Sequence, residues 1–151
     1  MAARGDSYYP PFEFINDQGE PDGFNVELFR AVAEVMGLEA EIDLGPWTEV
    51  RNDLESGRID LLVGMFYSEG RDQLVDFSTP HSIISHTIFI PRGSPIASVE
   101  DIRGKEILVQ EGDIVHDYLI ENHLTDFLIP VVDQREALKL LNRGYHDAAF
   151  V

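Results

Sequence analysis

One pattern occurs twice in this chain and restricts its fold more than any other feature. Residues 55–64 and residues 142–151 each contain a helix end, a glycine, two further residues, an aspartate and a short apolar run. A glycine placed just after a helix adopts the left-handed conformation that other residues avoid. A short apolar run between turn residues is typical of a strand that is covered on both faces. The repeat therefore predicts two lobes of similar build.

Strands and helices alternate through the first part of the chain. A first strand is predicted at residues 12–15, and a helix starts near Val26, with Asn25 as its N-cap and Gly37 as its stop. A further strand (39–44), a helix capped by Thr48 and a strand at 60–63 follow in order. This alternation predicts parallel α/β layers.

A second lobe is predicted after the proline- and glycine-rich residues 91–95, which interrupt the apolar, β-branched residues 83–90. We therefore place lobe 1 at residues 1–90 and lobe 2 at residues 91–151. Ser98 opens a short helix. The further elements of lobe 2 are a strand at 105–109, a helix at 113–122, an edge strand at 128–132 that contains Pro130, and a helix that begins at Asp133.

The charge of the chain excludes several partners. With 28 acidic against 11 basic residues, the net charge is −17, so nucleic acid and anionic membrane surfaces are not expected partners. A cationic or zwitterionic small molecule is compatible with such a surface. The chain has no cysteine, and no apolar run reaches the roughly 18 residues of a membrane span.

Sequence motifs for catalysis or cofactor binding are absent. The chain has no glycine-rich phosphate loop, nucleophile elbow or zinc-protease motif. Its five histidines lack metal-ligand spacing, and ordinary surface or core histidines explain them better than a metal site. The sequence predicts no enzyme activity, no cofactor and no metal.

Three residue types remain that could recognise a ligand. Tyr9 precedes a stiff diproline, Trp47 stands at the start of a helix, and Arg71 follows the first copy of the repeat. Taken alone, each aromatic residue is better explained by core packing, and Arg71 by a solvated ion pair.

The order of these and neighbouring motifs changes that interpretation. The chain resembles the family 3 extracellular solute-binding proteins, the amino-acid-binding group with the type II periplasmic-binding fold. The matching segments are Tyr9-Pro10-Pro11-Phe12, Gly23-Phe24-Asn25-Val26-Glu27-Leu28, Ser56-Gly57-Arg58-Ile59-Asp60, Gly64-Met65-Phe66-Tyr67-Ser68-Glu69-Gly70-Arg71, Val75-Asp76-Phe77-Ser78-Thr79-Pro80, Leu108-Val109-Gln110-Glu111-Gly112 and Asn142-Arg143-Gly144-Tyr145-His146-Asp147.

The resemblance implies two α/β lobes joined by a hinge, which close on a small ligand. It implies that Tyr9 and Trp47 stack on the ligand and that Arg71 binds its carboxylate. From lobe 2, Gln110 and the free N–H groups of a helix start would face the ligand. The complete implied set is Asp6, Tyr9, Trp47, Gly64, Met65, Phe66, Arg71, Gln110, Asp113, Ile114 and Val115.

The chain departs from the family pattern at several of these positions. Phe66 and Ile114 stand where hydroxyl residues are common, and Asp113 is expected to cap its own helix and repel an anion. The acid that binds a ligand ammonium in the family would follow Val151. The last part of lobe 1 is expected to be missing as well, and the apolar surface left uncovered predicts a homodimer.

The resemblance leaves several functions open. The preferred one is the periplasmic sensory input of a signalling protein such as a histidine kinase, with any kinase activity outside this chain. A solute-binding component of an amino-acid ABC transporter is the near alternative. A dehydratase-like enzyme and a ligand-blind domain, as in some lytic transglycosylases, are the alternatives from other classes.

Overall fold

A computed structural model describes residues 1–151 and shows two compact units, Met1–Thr79 and Pro80–Val151. The sequence placed the lobe boundary at residue 90, whereas the structure divides the chain between Thr79 and Pro80. Residues that follow Pro80 belong to the second unit because Ile88 and Phe89 pair with the last strand of the chain. Within the apolar, β-branched residues 83–90, the strand is limited to Ile88–Phe89.

A parallel sheet of three strands, β1 (Ala2–Asp6), β5 (Glu41–Gly45) and β6 (Leu61–Leu62), forms the base of the first unit. Strand β1 lies between β5 and β6. Strand β1 was not predicted, because Ala-Ala-Arg-Gly-Asp has no β-branched or aromatic residue. Small residues are required here: a Cβ on Gly5 would lie 2.7 Å from the Val63 side chain.

A small antiparallel sheet and three helices complete the first unit. The sheet contains β2 (Tyr8–Tyr9), β3 (Glu13–Ile15) and β4 (Pro21–Asp22). The helices are α1 (Phe24–Met36), α2 (Trp47–Glu55) and α3 (Glu69–Asp72). A core of Ala3, Val26, Leu44 and Val63 joins the parallel sheet to α1.

Two predicted helix caps in this unit are wrong, whereas the predicted stop of α1 at Gly37 is confirmed. Helix α1 begins at Phe24 after Gly23, so Asn25 lies inside its first turn and donates its side-chain amide to Glu13 instead. Helix α2 begins at Trp47 after Pro46, which places Thr48 inside that helix.

The second unit contains a four-stranded sheet in the order β7–β10–β8–β9. Its strands are β7 (Ile88–Phe89), β8 (Ile107–Gln110), β9 (Leu128–Val131) and β10 (Ala148–Phe150). Strand β9 lies at the edge of the sheet, as predicted from the presence of Pro130. A 3₁₀ helix (Val99–Ile102), α4 (Ile114–Glu121) and α5 (Gln134–Asn142) complete this unit. No helix of the chain combines the length and the apolar character needed to cross a membrane.

The repeated pattern has the same structure in both units. Gly57 and Gly144 follow α2 and α5 with φ angles of 71° and 81°. The Asp60 carboxylate then accepts the Ala2 N–H at 2.7 Å, and the Asp147 carboxylate accepts the Glu106 N–H at 2.9 Å. Each aspartate therefore forms a hydrogen bond with the backbone at the beginning of the neighbouring parallel strand.

Candidate ligand-binding site

Residues expected to bind a ligand lie at or shortly after the carboxyl ends of all three strands of the first parallel sheet. Asp6 ends β1, Trp47 comes shortly after β5, and Gly64 comes shortly after β6. The carboxyl ends of parallel strands meet at one edge of a sheet, which is where ligands bind in open α/β folds. The structure therefore brings these predicted residues to a suitable edge.

Arg71 is held at this edge by contacts that include Trp47, Phe66 and Ser68. Its side chain is 2% exposed, and its guanidinium carbon lies 5.7 Å from the centre of the Trp47 ring, a cation–π arrangement. One guanidinium nitrogen, Nη1, donates to the Phe66 carbonyl at 3.2 Å, and the Arg71 N–H donates to Ser68, which caps α3. These contacts restrict the orientation of a planar guanidinium, a group that can bind a carboxylate through two parallel hydrogen bonds.

An aromatic cluster lies beside the segment that leads to Arg71. The Tyr9 ring stacks on Phe12 at 5.6 Å and meets the Phe66 ring edge-on at 6.1 Å. Phe12 in turn meets Phe24 of α1. Phe66 thus contributes its ring to Tyr9 and its carbonyl to Arg71, and the neighbouring Met65 is half-buried. The two predicted aromatic residues have different neighbours, Arg71 for Trp47 and Phe66 for Tyr9.

Glu13 is a residue of this candidate site that was not predicted from the sequence. It is 3% exposed, and its carboxylate accepts the Asp6 N–H at 2.8 Å and the Asn25 side-chain amide at 2.9 Å. Burial raises the pKa of Glu13 to about 7, and the negative Asp6 adds to this shift, although both hydrogen bonds oppose it. The Phe12-Glu13-Phe14 alternation gives the opposite impression, because it suggests that the carboxylate faces solvent.

In the second unit, Gln110 and Asp113 lie at the carboxyl end of β8 and are buried. As predicted, Asp113 caps α4, and its carboxylate accepts the Ile114 N–H at 2.6 Å. That N–H was expected to be free for an anion, but the helix start supplies its own carboxylate. The Gln134 side-chain amide also donates to Asp113, at 3.5 Å.

The side chains of Ile114 and Val115, the other two predicted residues of this helix start, pack against the core of the second unit, Ile114 being partly buried. Val115 is 4% exposed and packs into the core with Ile102 and Leu119. The Gly112 N–H donates to the His116 ring nitrogen Nδ1 at 3.0 Å. Gln110 and Asp113 are therefore the polar side chains that the predicted set places here. The structure contains no group of three or more side chains suited to hold a metal ion.

Residues 3–148 match the family model of the bacterial extracellular solute-binding proteins, family 3. This chain belongs to that family. The match covers both units and includes every predicted site residue from Asp6 to Val115.

Solved structures and a curated relative agree with this assignment. The crystal structure of a histidine kinase sensor domain with similarity to periplasmic binding proteins is 44% identical to this chain, with a TM-score of 0.94, and the match covers 100% of this chain and 67% of that one. The arginine-, lysine-, histidine-binding protein ArtJ from Geobacillus stearothermophilus is 26% identical with a TM-score of 0.89, over 100% of this chain and 66% of that one.

The L-cystine-binding protein TcyJ of Escherichia coli strain K12 is 32% identical over 117 residues. The match covers 76% of this chain, which spans only 44% of TcyJ. The predicted type II periplasmic-binding fold is confirmed by these likenesses.

Proposed function

We propose that this chain is an extracytoplasmic domain that binds an amino acid or a related carboxylate and serves as the sensory input of a transmembrane signalling protein such as a histidine kinase. The observation that carries the binding role is Arg71, buried on the Trp47 ring at the carboxyl edge of the parallel sheet. The sensory role is supported by the 44% identity to a histidine kinase sensor domain.

In this proposal the ligand carboxylate binds the Arg71 guanidinium, and the apolar part of the ligand lies against Trp47 and Tyr9. Backbone groups at Gly64 and Phe66 bind its polar head. In the second unit, Gln110 and Asp113 are the buried polar side chains of the predicted set. Because the Asp113 carboxylate already satisfies the Ile114 N–H, this unit favours a cationic or neutral group of a zwitterionic ligand over a second anion. The ligand acts by stabilising the state that binds it best.

A binding screen tests the first half of this proposal. The chain is mixed separately with the twenty common L-amino acids and L-cystine, and thermal unfolding is recorded. A ligand at a hundred times its Kd stabilises the native state by about 2.7 kcal/mol. Arg71→Ala should abolish the shift, whereas Arg30→Ala, an exposed arginine of α1, should keep it. Full binding by Arg71→Ala, or no binding by the unmodified chain, would overturn the carboxylate-binding proposal.

A transporter component is the second candidate, since a relative from Haemophilus influenzae that is 32% identical over 101 residues is named a probable amino-acid ABC transporter-binding protein. The full-length protein separates the two roles. For a sensor, adding the ligand found in the screen changes autophosphorylation of an attached kinase, and Arg71→Ala removes that response. Ligand-dependent uptake without any change in phosphorylation would favour the transporter role.

A further inference from the structure

We propose that Glu13 and Asn25 form a buried positioning pair that fixes Asp6 and Gly64, two residues of the candidate ligand-binding site, relative to each other. This inference rests on the proposed function for its effect on ligand binding. Neither residue belongs to the set that the family resemblance implied. Their role follows from contacts to three different segments of the first unit.

The Glu13 carboxylate connects these segments through its two oxygens. Oε1 accepts the backbone N–H of Asp6, the last residue of β1. Oε2 accepts the side-chain amide of Asn25 from the first turn of α1. The Asn25 N–H donates to the Phe12 carbonyl at 2.8 Å, so Asn25 is also anchored to the strand that carries Glu13. The pair thus joins β1, β3 and α1 at one buried point.

Gly64 packs directly against this pair. A Cβ on Gly64 would lie 2.7 Å from Glu13 Oε2 and even closer to the Asn25 amide nitrogen. Real Cβ atoms are essentially never found so close to another heavy atom. The backbone after β6 therefore rests on the Glu13–Asn25 pair, and any movement of the pair changes the position of Gly64.

The pair is also sensitive to protonation. The groups packed on the carboxylate are Asp6 and Gly5 from β1, Asn25 from α1, and Gly64 after β6, and among these Asp6 is the titratable one. An ionised Glu13 accepts two hydrogen bonds. A protonated Glu13 still accepts the Asp6 N–H through Oε1, and a proton on Oε2 donates to Asn25 when the Asn25 amide presents its oxygen. Protonation therefore changes the contact on which Gly64 rests, and the raised pKa of Glu13 places this change near neutral pH.

A test without ligand uses nuclear magnetic resonance of the nitrogen-15-labelled chain. The Asp6 backbone amide and the Asn25 side-chain amide should titrate together, with a midpoint near pH 7. The Tyr8 N–H donates to the Asp6 carboxylate at 2.9 Å, so its signal separates titration of Asp6 from that of Glu13. Glu13→Gln should abolish the shared titration, and Glu20→Gln, an exposed residue of the same hairpin, should retain it. A shared titration that persists in Glu13→Gln, or its absence in the unmodified chain, would overturn the proposal.

A second test measures Kd for each amino acid of the screen that binds the unmodified chain. We expect Glu13→Ala to raise Kd roughly tenfold, as for loss of an orienting hydrogen bond to a charged group. At a single pH, Glu13→Gln should keep Kd within about threefold of the unmodified chain. We expect the affinity of the unmodified chain to differ between pH 6 and pH 8, and Glu13→Gln should remove that difference. An unchanged Kd in Glu13→Ala contradicts a positioning role. If no amino acid binds, the proposed function fails, while the amide titration still decides whether Glu13 positions Asp6. If Glu13→Ala does not fold, Glu13→Gln decides both tests.

Discussion

At the scale of single residues, Gly64 has little room for a larger side chain. We predict that Gly64→Ala destabilises the first unit by about 1–3 kcal/mol, as for other overpacked sites. The added methyl group meets Glu13 and Asn25, and neither can withdraw without losing the hydrogen bond between them. Urea unfolding monitored by Trp47 fluorescence measures the loss.

A double variant provides the control for Gly64→Ala. Asn25→Ala removes the nearest obstructing atoms, so Gly64→Ala should cost less in the Asn25→Ala background than in the unmodified chain. The expected coupling between the two changes is about 0.5–3 kcal/mol. Strictly additive losses would show that the added methyl group does not meet Asn25.

The sequence indicated some residues of the site much better than others. Trp47 and Arg71 were both predicted as ligand-binding residues, and the structure brings them into contact, although their contact was not predicted. Glu13 was missed because its local alternation with Phe12 and Phe14 suggests a solvent-facing side chain. Only the tertiary structure, through Asp6 and Asn25, shows that this carboxylate is buried.

At the scale of secondary structure elements, the repeated aspartates have a measurable role. We predict that Asp60→Ala and Asp147→Ala each destabilise their own unit by about 0.5–1.5 kcal/mol, the net contribution of one hydrogen bond. Asp60 holds the first strand of one sheet through Ala2, and Asp147 holds the start of β8 through Glu106. Chemical unfolding compares each variant with the unmodified chain.

Exposed aspartates of the same unit serve as controls for these two variants. Asp17→Ala in the first unit and Asp126→Ala in the second should change stability by less than about 0.5 kcal/mol. Equal losses in the controls and in the repeat variants would mean that the backbone hydrogen bonds contribute nothing specific.

The sequence predicted those features of the helices that depend on residues close together along the chain. The glycine stops after α1, α2 and α5 and the Asp113 and Asp133 caps were all predicted, since these depend on neighbours along the chain. Strand β1 was not predicted, because its small residues are selected by contacts with β5 and β6. The predicted Asn25 cap was wrong for the same reason, because the hydrogen-bond partner of Asn25, Glu13, lies on another element.

At the scale of the whole molecule, we predict that stability falls as the pH rises from about 5 to 8. The pKa of Glu13 is about 7 in the folded state, above its ordinary value of 4.5. The folded state therefore binds this proton more tightly than the unfolded state does. The resulting stabilisation is complete below pH 4.5 and is lost as the pH rises through 7, which amounts to roughly 3 kcal/mol. Unfolding midpoints measured at a series of pH values should change less with pH for Glu13→Gln than for Glu20→Gln.

Carboxylates with lowered pKa values have the opposite effect on the pH dependence of stability, because they stabilise the folded state as the pH rises. They do so in a more acidic pH range than Glu13. Hydrogen bonds from Arg58 and Arg4 lower the pKa of Asp53, and the backbone N–H groups of Ala97 and Ser98 lower that of Asp101. Their stabilisation is present above the ordinary value of 3.8 and is lost as the pH falls further. They do not compensate for Glu13 between pH 5 and 8.

Salt separates the effect of Glu13 from the repulsion among surface charges. The net charge of −17 destabilises the compact state by self-repulsion, which about 1 M salt screens because the Debye length falls to roughly 3 Å. Added NaCl should therefore raise the unfolding midpoint of every variant at pH 8. The difference in pH dependence between Glu13→Gln and the unmodified chain should survive, because it arises from burial of one carboxylate. If 1 M NaCl removes that difference, the pH dependence comes from the acidic surface as a whole, and Glu13 is not its source.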